Sequence, residues 1–123
     1  MKTLEIVLKG GLKSCCSTYS AEDMKKFTKH WFKDRPDVKF DIIDIEKDFY
    51  ETGTLADLAY KYFGNAIFPL VYLNGQLVSI GSFPEQNESL QIIENPVPIT
   101  KEDIEEEARL VKEQQIKNNR YEK

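Results

Sequence analysis

The sequence predicts an α/β fold built on a mixed four-stranded sheet, with helices on both faces and an extra C-terminal helix. Three observations predict it. Short β-branched runs alternate with segments whose apolar residues recur every three or four positions, a β-α-β-α start that implies parallel pairing. An Asn-Gly pair then separates two further runs, the mark of an antiparallel hairpin. A last helical pattern closes the series, giving the order β-α-β-α-β-β-α.

Thr3-Leu4-Glu5-Ile6-Val7-Leu8-Lys9 is apolar and β-branched, ends at Gly10-Gly11, and reads as the first strand. A polar loop follows, Lys13-Ser14-Cys15-Cys16-Ser17-Thr18. Ser20 and Asp23 have the spacing of a capping box, and Met24, Phe27, Trp31 and Phe32 then form one helix face opposite Lys25, Lys26, Lys29 and Lys33. Pro36 lies past the end of that helix. Val38 to Ile45 turns mostly apolar and reads as a central strand covered on both faces. Leu55, Leu58, Ala59, Tyr62 and Phe63 give a second helix over 54–63, stopped by Gly64. Leu70 to Leu73 and Gln76 to Gly81 are the two arms of the hairpin around Asn74-Gly75, and 84–94 form a short helix on Leu90, Ile92 and Ile93.

Pro96 and Pro98 then break the pattern. The boundaries expected are a domain over 1–95 and a charged amphipathic helical extension over 96–123, capped by Thr100 and Asp103, with a stripe of Ile104, Ala108, Val111 and Gln115 flanked by Leu110 and Ile116. This extension holds 6 Lys plus Arg against 7 Asp plus Glu. It either packs on its own domain or docks on a partner or second copy, so a homodimer is one expectation.

The chain of 123 residues suits one domain with one core. Its 17 basic and 21 acidic residues give a net charge of −4, which speaks against nucleic acid as the main partner. The longest uncharged stretch, Tyr62 to Pro84, is interrupted by Gly, Asn and Pro, so no membrane span is expected. The N-terminus runs straight into the first strand without the pattern of a signal peptide, and a cytoplasmic protein is expected.

The two cysteines, Cys15 and Cys16, are adjacent. Neighbouring α-carbons stand about 3.8 Å apart, below the usual disulfide span of about 4.4–6.8 Å, so the pair is no structural staple. The thiols are either two small buried side chains or a reactive pair in a loop. Lys13, hydroxyls of Ser14, Ser17 and Thr18, and the N-terminus of the first helix could all favour a thiolate there. The helix contribution depends on whether the helix starts at Ser17, beside the cysteines, or at Ser20. His30, the only histidine, reads as a solvent-facing residue in mid-helix, and Asp41, Asp44, Glu46 and Asp48 as strand-end and loop solvation. Tyr60, Tyr62 and Phe63 read as helix core or rim. No Ser/His/Asp signature and no phosphate loop is present.

The element order resembles the thioredoxin-like fold over about Thr3 to Glu94. The most specific likeness is Ala66-Ile67-Phe68-Pro69-Leu70-Val71-Tyr72-Leu73-Asn74-Gly75, similar to the segment where that fold places a cis-proline before its third strand. The resemblance implies that Pro69 is cis and lies beside the cysteine loop. Within the fold, Cys15-Cys16-Ser17-Thr18 and Gly81-Ser82-Phe83-Pro84 resemble stretches of the arsenical-resistance metallochaperone and repressor family. That family's metalloid site takes a third cysteine at the position held here by Ala21. A second likeness, through the Ser-acidic helix start, Ile43-Asp44-Ile45 and the Pro-Leu-apolar-Asn turn, is to small proteins of Firmicutes described as disulfide oxidoreductases, whose loop is Cys-x-x-Cys. This chain has the location without that spacing.

Three functions are therefore expected as alternatives. The first is thiol–disulfide redox chemistry on protein thiols or disulfides and a low-molecular-weight thiol, without a cofactor. Cys15 would be the preferred nucleophile, Cys16 close behind, Thr18 in the resolving position and Pro69 orienting the partner. The second is binding of As(III), Cu(I) or Zn(II) by the thiolates of Cys15 and Cys16. The third is a thioredoxin-like interaction scaffold with inert cysteines.

Overall fold

The structure, a computed structural model, describes residues 1–13 and 16–121. Among these residues it is a mixed α/β fold with one four-stranded sheet, a separate two-stranded hairpin and four α-helices. The strands are β1 (Lys2–Leu8), β2 (Leu12–Lys13), β3 (Thr18–Tyr19), β4 (Val38–Asp44), β5 (Leu70–Leu73) and β6 (Gln76–Ile80). The helices are α1 (Ala21–Thr28), α2 (Thr54–Phe63), α3 (Gln86–Glu94) and α4 (Lys101–Tyr121), with a 3₁₀ turn over Gly64–Ile67. The sheet runs β4-β1-β5-β6. β1 pairs parallel with β4 and antiparallel with β5, and β5 pairs antiparallel with β6.

Alternation along the strands splits the core in two. Leu4, Ile6, Leu8, Ile42, Val71 and Leu73 face α1 and α3, where they meet Ala21, Met24 and Ile93. Val7, Leu70, Tyr72 and Leu77 face the other way and meet Ala56 and Ala59 of α2 and Ile104 of α4. Each fully buried aliphatic side chain is worth about 1.5–3 kcal/mol of transfer free energy, so both faces hold the sheet. The hairpin turn forms as its sequence requires: Asn74 and Gly75 have φ of 51° and 83°, and Asn74 Oδ1 accepts from the Thr3 N–H at 2.9 Å. One irregularity interrupts the β5–β6 ladder, where Val71 pairs with Ser79 but Tyr72 pairs with Leu77, leaving Val78 as a bulge.

Four expectations need correction. Val38 to Asp44 is an edge strand, hydrogen-bonded to β1 alone within the sheet. Its apolar look comes from Phe40 and Ile42 packing under α1 while its outer side keeps Lys39 exposed. Helix α1 ends at Thr28, so Trp31 and Phe32 lie in the turns after it and stack with Phe40 and Phe83. Its buried face is Ala21, Met24 and Thr28, and Phe27 is 61% exposed, edge-on to Tyr19. His30 is exposed in the turn rather than in mid-helix. Of the C-terminal stripe, Ile104 is buried while Val111 is exposed, as is the flanking Leu110. The side chains of Gln115 and Ile116 lie outside those described. Among the described residues, no helix is long and apolar enough to cross a membrane.

Candidate functional site

Cys16 lies between the two strands of a small hairpin that the sequence did not announce. β2 and β3 pair antiparallel, Leu12 with Tyr19 and Lys13 with Thr18. Cys16 is exposed there. Ser14 and Cys15 lie outside the described residues, and with them the second half of the cysteine pair. Thr18 is exposed on β3 and pairs with Lys13 across the hairpin.

Of the two helix starts left open by the sequence, the chain adopts the later one. Ser20 is the N-cap: its Oγ accepts from the Asp23 N–H at 3.1 Å, while Asp23 Oδ2 accepts from the Ser20 N–H at 3.1 Å. β3 thus intervenes between the cysteine loop and α1. Ala21, the position of the third cysteine in the metalloid-binding likeness, is buried against the sheet in the first turn.

The base of the hairpin is fixed by Asp44. This residue ends the stripe Phe40, Ile42, Asp44 on the α1 face of β4 and is only 3% exposed. Its Oδ1 accepts from the N–H groups of Gly10 at 3.1 Å and Glu46 at 3.0 Å, and its Oδ2 from Gly11 at 2.8 Å. Burial disfavours the charged carboxylate, yet the three backbone N–H groups and nearby Lys47 outweigh it and hold the carboxyl below its ordinary range. Gly10 and Gly11 both have positive φ, 68° and 79°. A Cβ at Gly11 would lie 2.6 Å from the Tyr19 carbonyl oxygen, so that position admits glycine alone. The expectation of Asp44 as simple strand-end solvation is corrected here: its carboxylate is the anchor of the hairpin.

The Phe68–Pro69 peptide bond is cis, and Pro69 is buried. It lines a cleft of about 680 Å³ together with Lys9, the chain from Gly10 to Lys13, Glu46, Asn65, Phe68 and the 81–83 segment. The strand that enters the cysteine loop and the cis-proline therefore share one cavity, while Cys16 is not among its walls. The Gly81 N–H donates to the carbonyls of Ile67 at 2.8 Å and Pro69 at 3.0 Å, which fixes the far rim. Lys9 Nζ donates to Asn65 Oδ1 at 3.0 Å and stands 5.5 Å from the Tyr60 ring and 6.0 Å from the Phe68 ring.

Among the described residues, no group of three or more His, Cys, Asp or Glu side chains is placed to hold a metal ion. Asp41 makes an exposed ion pair with Lys25 at 3.5 Å, and Tyr60 and Tyr62 are exposed on the rim of α2. Sequence reasoning placed a cis bond at Pro69, and the bond is cis. It missed Asp44 as an anchor and Lys9 as a cleft residue, because neither belongs to a local motif.

No protein family model matches the chain, and no curated protein matches it. Among solved structures it is similar to a Staphylococcus aureus protein of unknown function, at 19% identity and a TM-score of 0.46, over 76% of this chain and 91% of that one.

Proposed function

We propose that this is a thioredoxin-like protein that performs thiol–disulfide exchange through its Cys15-Cys16 loop. The observation that carries the reading is the shared cleft: a cis-proline, Pro69, lines the same cavity as Gly10 to Lys13, the chain that leads into the loop. Cys16, three residues beyond Lys13, is exposed.

In this reading the Cys15 thiolate attacks one sulfur of the partner disulfide. A new S–S bond forms to Cys15, the partner's S–S bond breaks, and the departing sulfur leaves as a thiolate that takes a proton from water. A low-molecular-weight thiol, as thiolate, then attacks the mixed disulfide and releases Cys15, so one disulfide is exchanged for another with no net change in oxidation level. An external thiol is needed because an adjacent pair bridges poorly. Thr18, in the resolving position, offers a hydroxyl and no second sulfur. Cys16 is the alternative nucleophile.

The test is reduction of hydroxyethyl disulfide by glutathione, followed with the wild-type chain, Cys15→Ser, Cys16→Ser and the double variant. Catalysis above buffer is expected for the wild type, with a larger loss in Cys15→Ser than in Cys16→Ser. A double variant as active as the wild type would overturn the reading. Native mass spectra with one equivalent of arsenite or zinc, run alongside, separate it from metalloid or metal binding. A stoichiometric mass shift without exchange activity would move the assignment there, and neither signal would leave the scaffold.

A further inference from the structure

The cleft beside Pro69 has a chemical character of its own. Two cations line it, Lys9 from the end of β1 and Lys13 from the hairpin, and among the described residues neither ammonium is in an ion pair. Lys9 is held in place: its ammonium is bonded to Asn65 and lies near the faces of Tyr60 and Phe68. Asn65 belongs to the 3₁₀ turn that leads directly into Phe68-Pro69, so the turn that presents the proline also aims the lysine. A lysine fixed by neighbours loses less side-chain entropy on binding than one waving in solvent. Leu12, Phe68 and Phe83 supply apolar walls, and among the described residues Glu46 is the single carboxylate of the lining.

We infer that this cleft selects partners that present a carboxylate to it, with Lys9 as the specificity residue and Lys13 as its second cation. The proposal rests on the thiol–disulfide reading for its purpose, and on the cleft alone for its binding. Two sources share this chemistry, an acidic protein segment and a small thiol with carboxylates of its own. Glu46 repels a second acid at its end of the cleft.

The experiment uses the full chain with both cysteines changed to serine, so that only reversible binding is read. Probes are an eight-residue peptide with S-methylcysteine flanked by Asp, the same peptide with Asn, and S-methylglutathione. Binding is followed by NMR at the resonances of Lys9, Asn65 and Phe68. The Asp peptide or S-methylglutathione is expected to shift these resonances, and whichever binds names the source. Lys9→Met, which keeps a long unbranched side chain and removes the charge, is expected to weaken that binding roughly fivefold at low salt, the size of a partly screened ion pair. Added salt should shrink the difference. Equal binding of the Asp and Asn peptides, no effect of Lys9→Met, or no binding by any probe overturns the proposal. Carboxylate-selective binding by a protein whose wild-type form shows no exchange activity sinks the redox reading and leaves the cleft proposal standing. Exchange activity without carboxylate preference does the reverse.

Discussion

Asp44 shows how one side chain can carry both a local structure and a pH dependence. Its carboxylate has three backbone donors, two of them from the glycines at the base of the cysteine hairpin. In Asp44→Asn an amide NH₂ must face at least one of those N–H groups. A loss of about 1–3 kcal/mol in urea unfolding is expected, the cost of leaving a buried donor unsatisfied. The depressed carboxyl pKa fixes the sign of the acid response. In the unfolded chain an aspartate titrates near its ordinary value of about 3.9, so below that pH the unfolded state binds more protons than the folded one. The contribution of Asp44 is thus full above about pH 4 and lost as pH falls toward its folded pKa, and Asp44→Asn should flatten that limb of the stability profile. An unchanged acid limb would remove Asp44 from this role. Ser89 is the converse case. It is fully buried in α3, and its Oγ has no hydrogen-bond partner among the described residues. Ser89→Ala removes an uncompensated hydroxyl, and thermal unfolding should find it as stable as the wild type or up to about 1 kcal/mol more stable.

The cysteine hairpin is an element whose shape depends on Gly11. Its positive φ and the 2.6 Å approach to the Tyr19 carbonyl mean that Gly11→Ala must push β2 away from β3. The expected cost is about 1–3 kcal/mol, paid locally: amide hydrogen exchange should speed up at Leu12, Lys13, Thr18 and Tyr19 more than in β1 or β5. Uniform exchange across both regions would mean that the hairpin is not a separate opening unit. This element also marks the limit of what the sequence revealed. β1, α2 and the β5–β6 hairpin were legible because each carries several residues of clear period or a turn with one conformational solution. Two strands of two residues each carry no period, so the cysteine segment read only as a loop. The edge position of β4 was illegible for another reason. Strand order depends on which partner arrives on the far side, and a strand's own residues do not record that. The same holds for the cleft. Pro69 could be picked out by its neighbours in sequence, whereas Lys9 and Asn65 meet across 56 positions of chain.

At the scale of the molecule, the sheet is covered on both faces, and the second face is completed only by the C-terminal helix. The link into α4 is pinned to the sheet edge by the Ile99 N–H donating to the Leu77 carbonyl at 2.9 Å. The helix then opens with a capping box, Asp103 Oδ2 accepting from the Thr100 N–H at 2.9 Å and Thr100 Oγ1 from the Asp103 N–H at 3.2 Å. One turn in, Ile104 enters the cluster of Val7, Ala59, Leu70 and Leu77 and is only 2% exposed. Seven residues further along the same stripe, Val111 is 40% exposed, and its neighbour Leu110 is 46% exposed. The first turn of α4 therefore belongs to the core in a way that the middle of the helix does not, although the sequence gives both the same stripe. Ile104→Ala should lower unfolding stability by about 2–4 kcal/mol, the usual cost of emptying a buried aliphatic site, with the denaturant slope unchanged and a single transition. Leu110→Ala should fall within about 0.5 kcal/mol of the wild type, as an exposed substitution does. Should Ile104→Ala match Leu110→Ala, the helix would be an appendage and the sheet would close its second face on α2 alone. A large loss at both positions would instead mean that the exposed face of α4 is covered in solution, and the concentration dependence of the wild-type transition would show whether a second copy covers it.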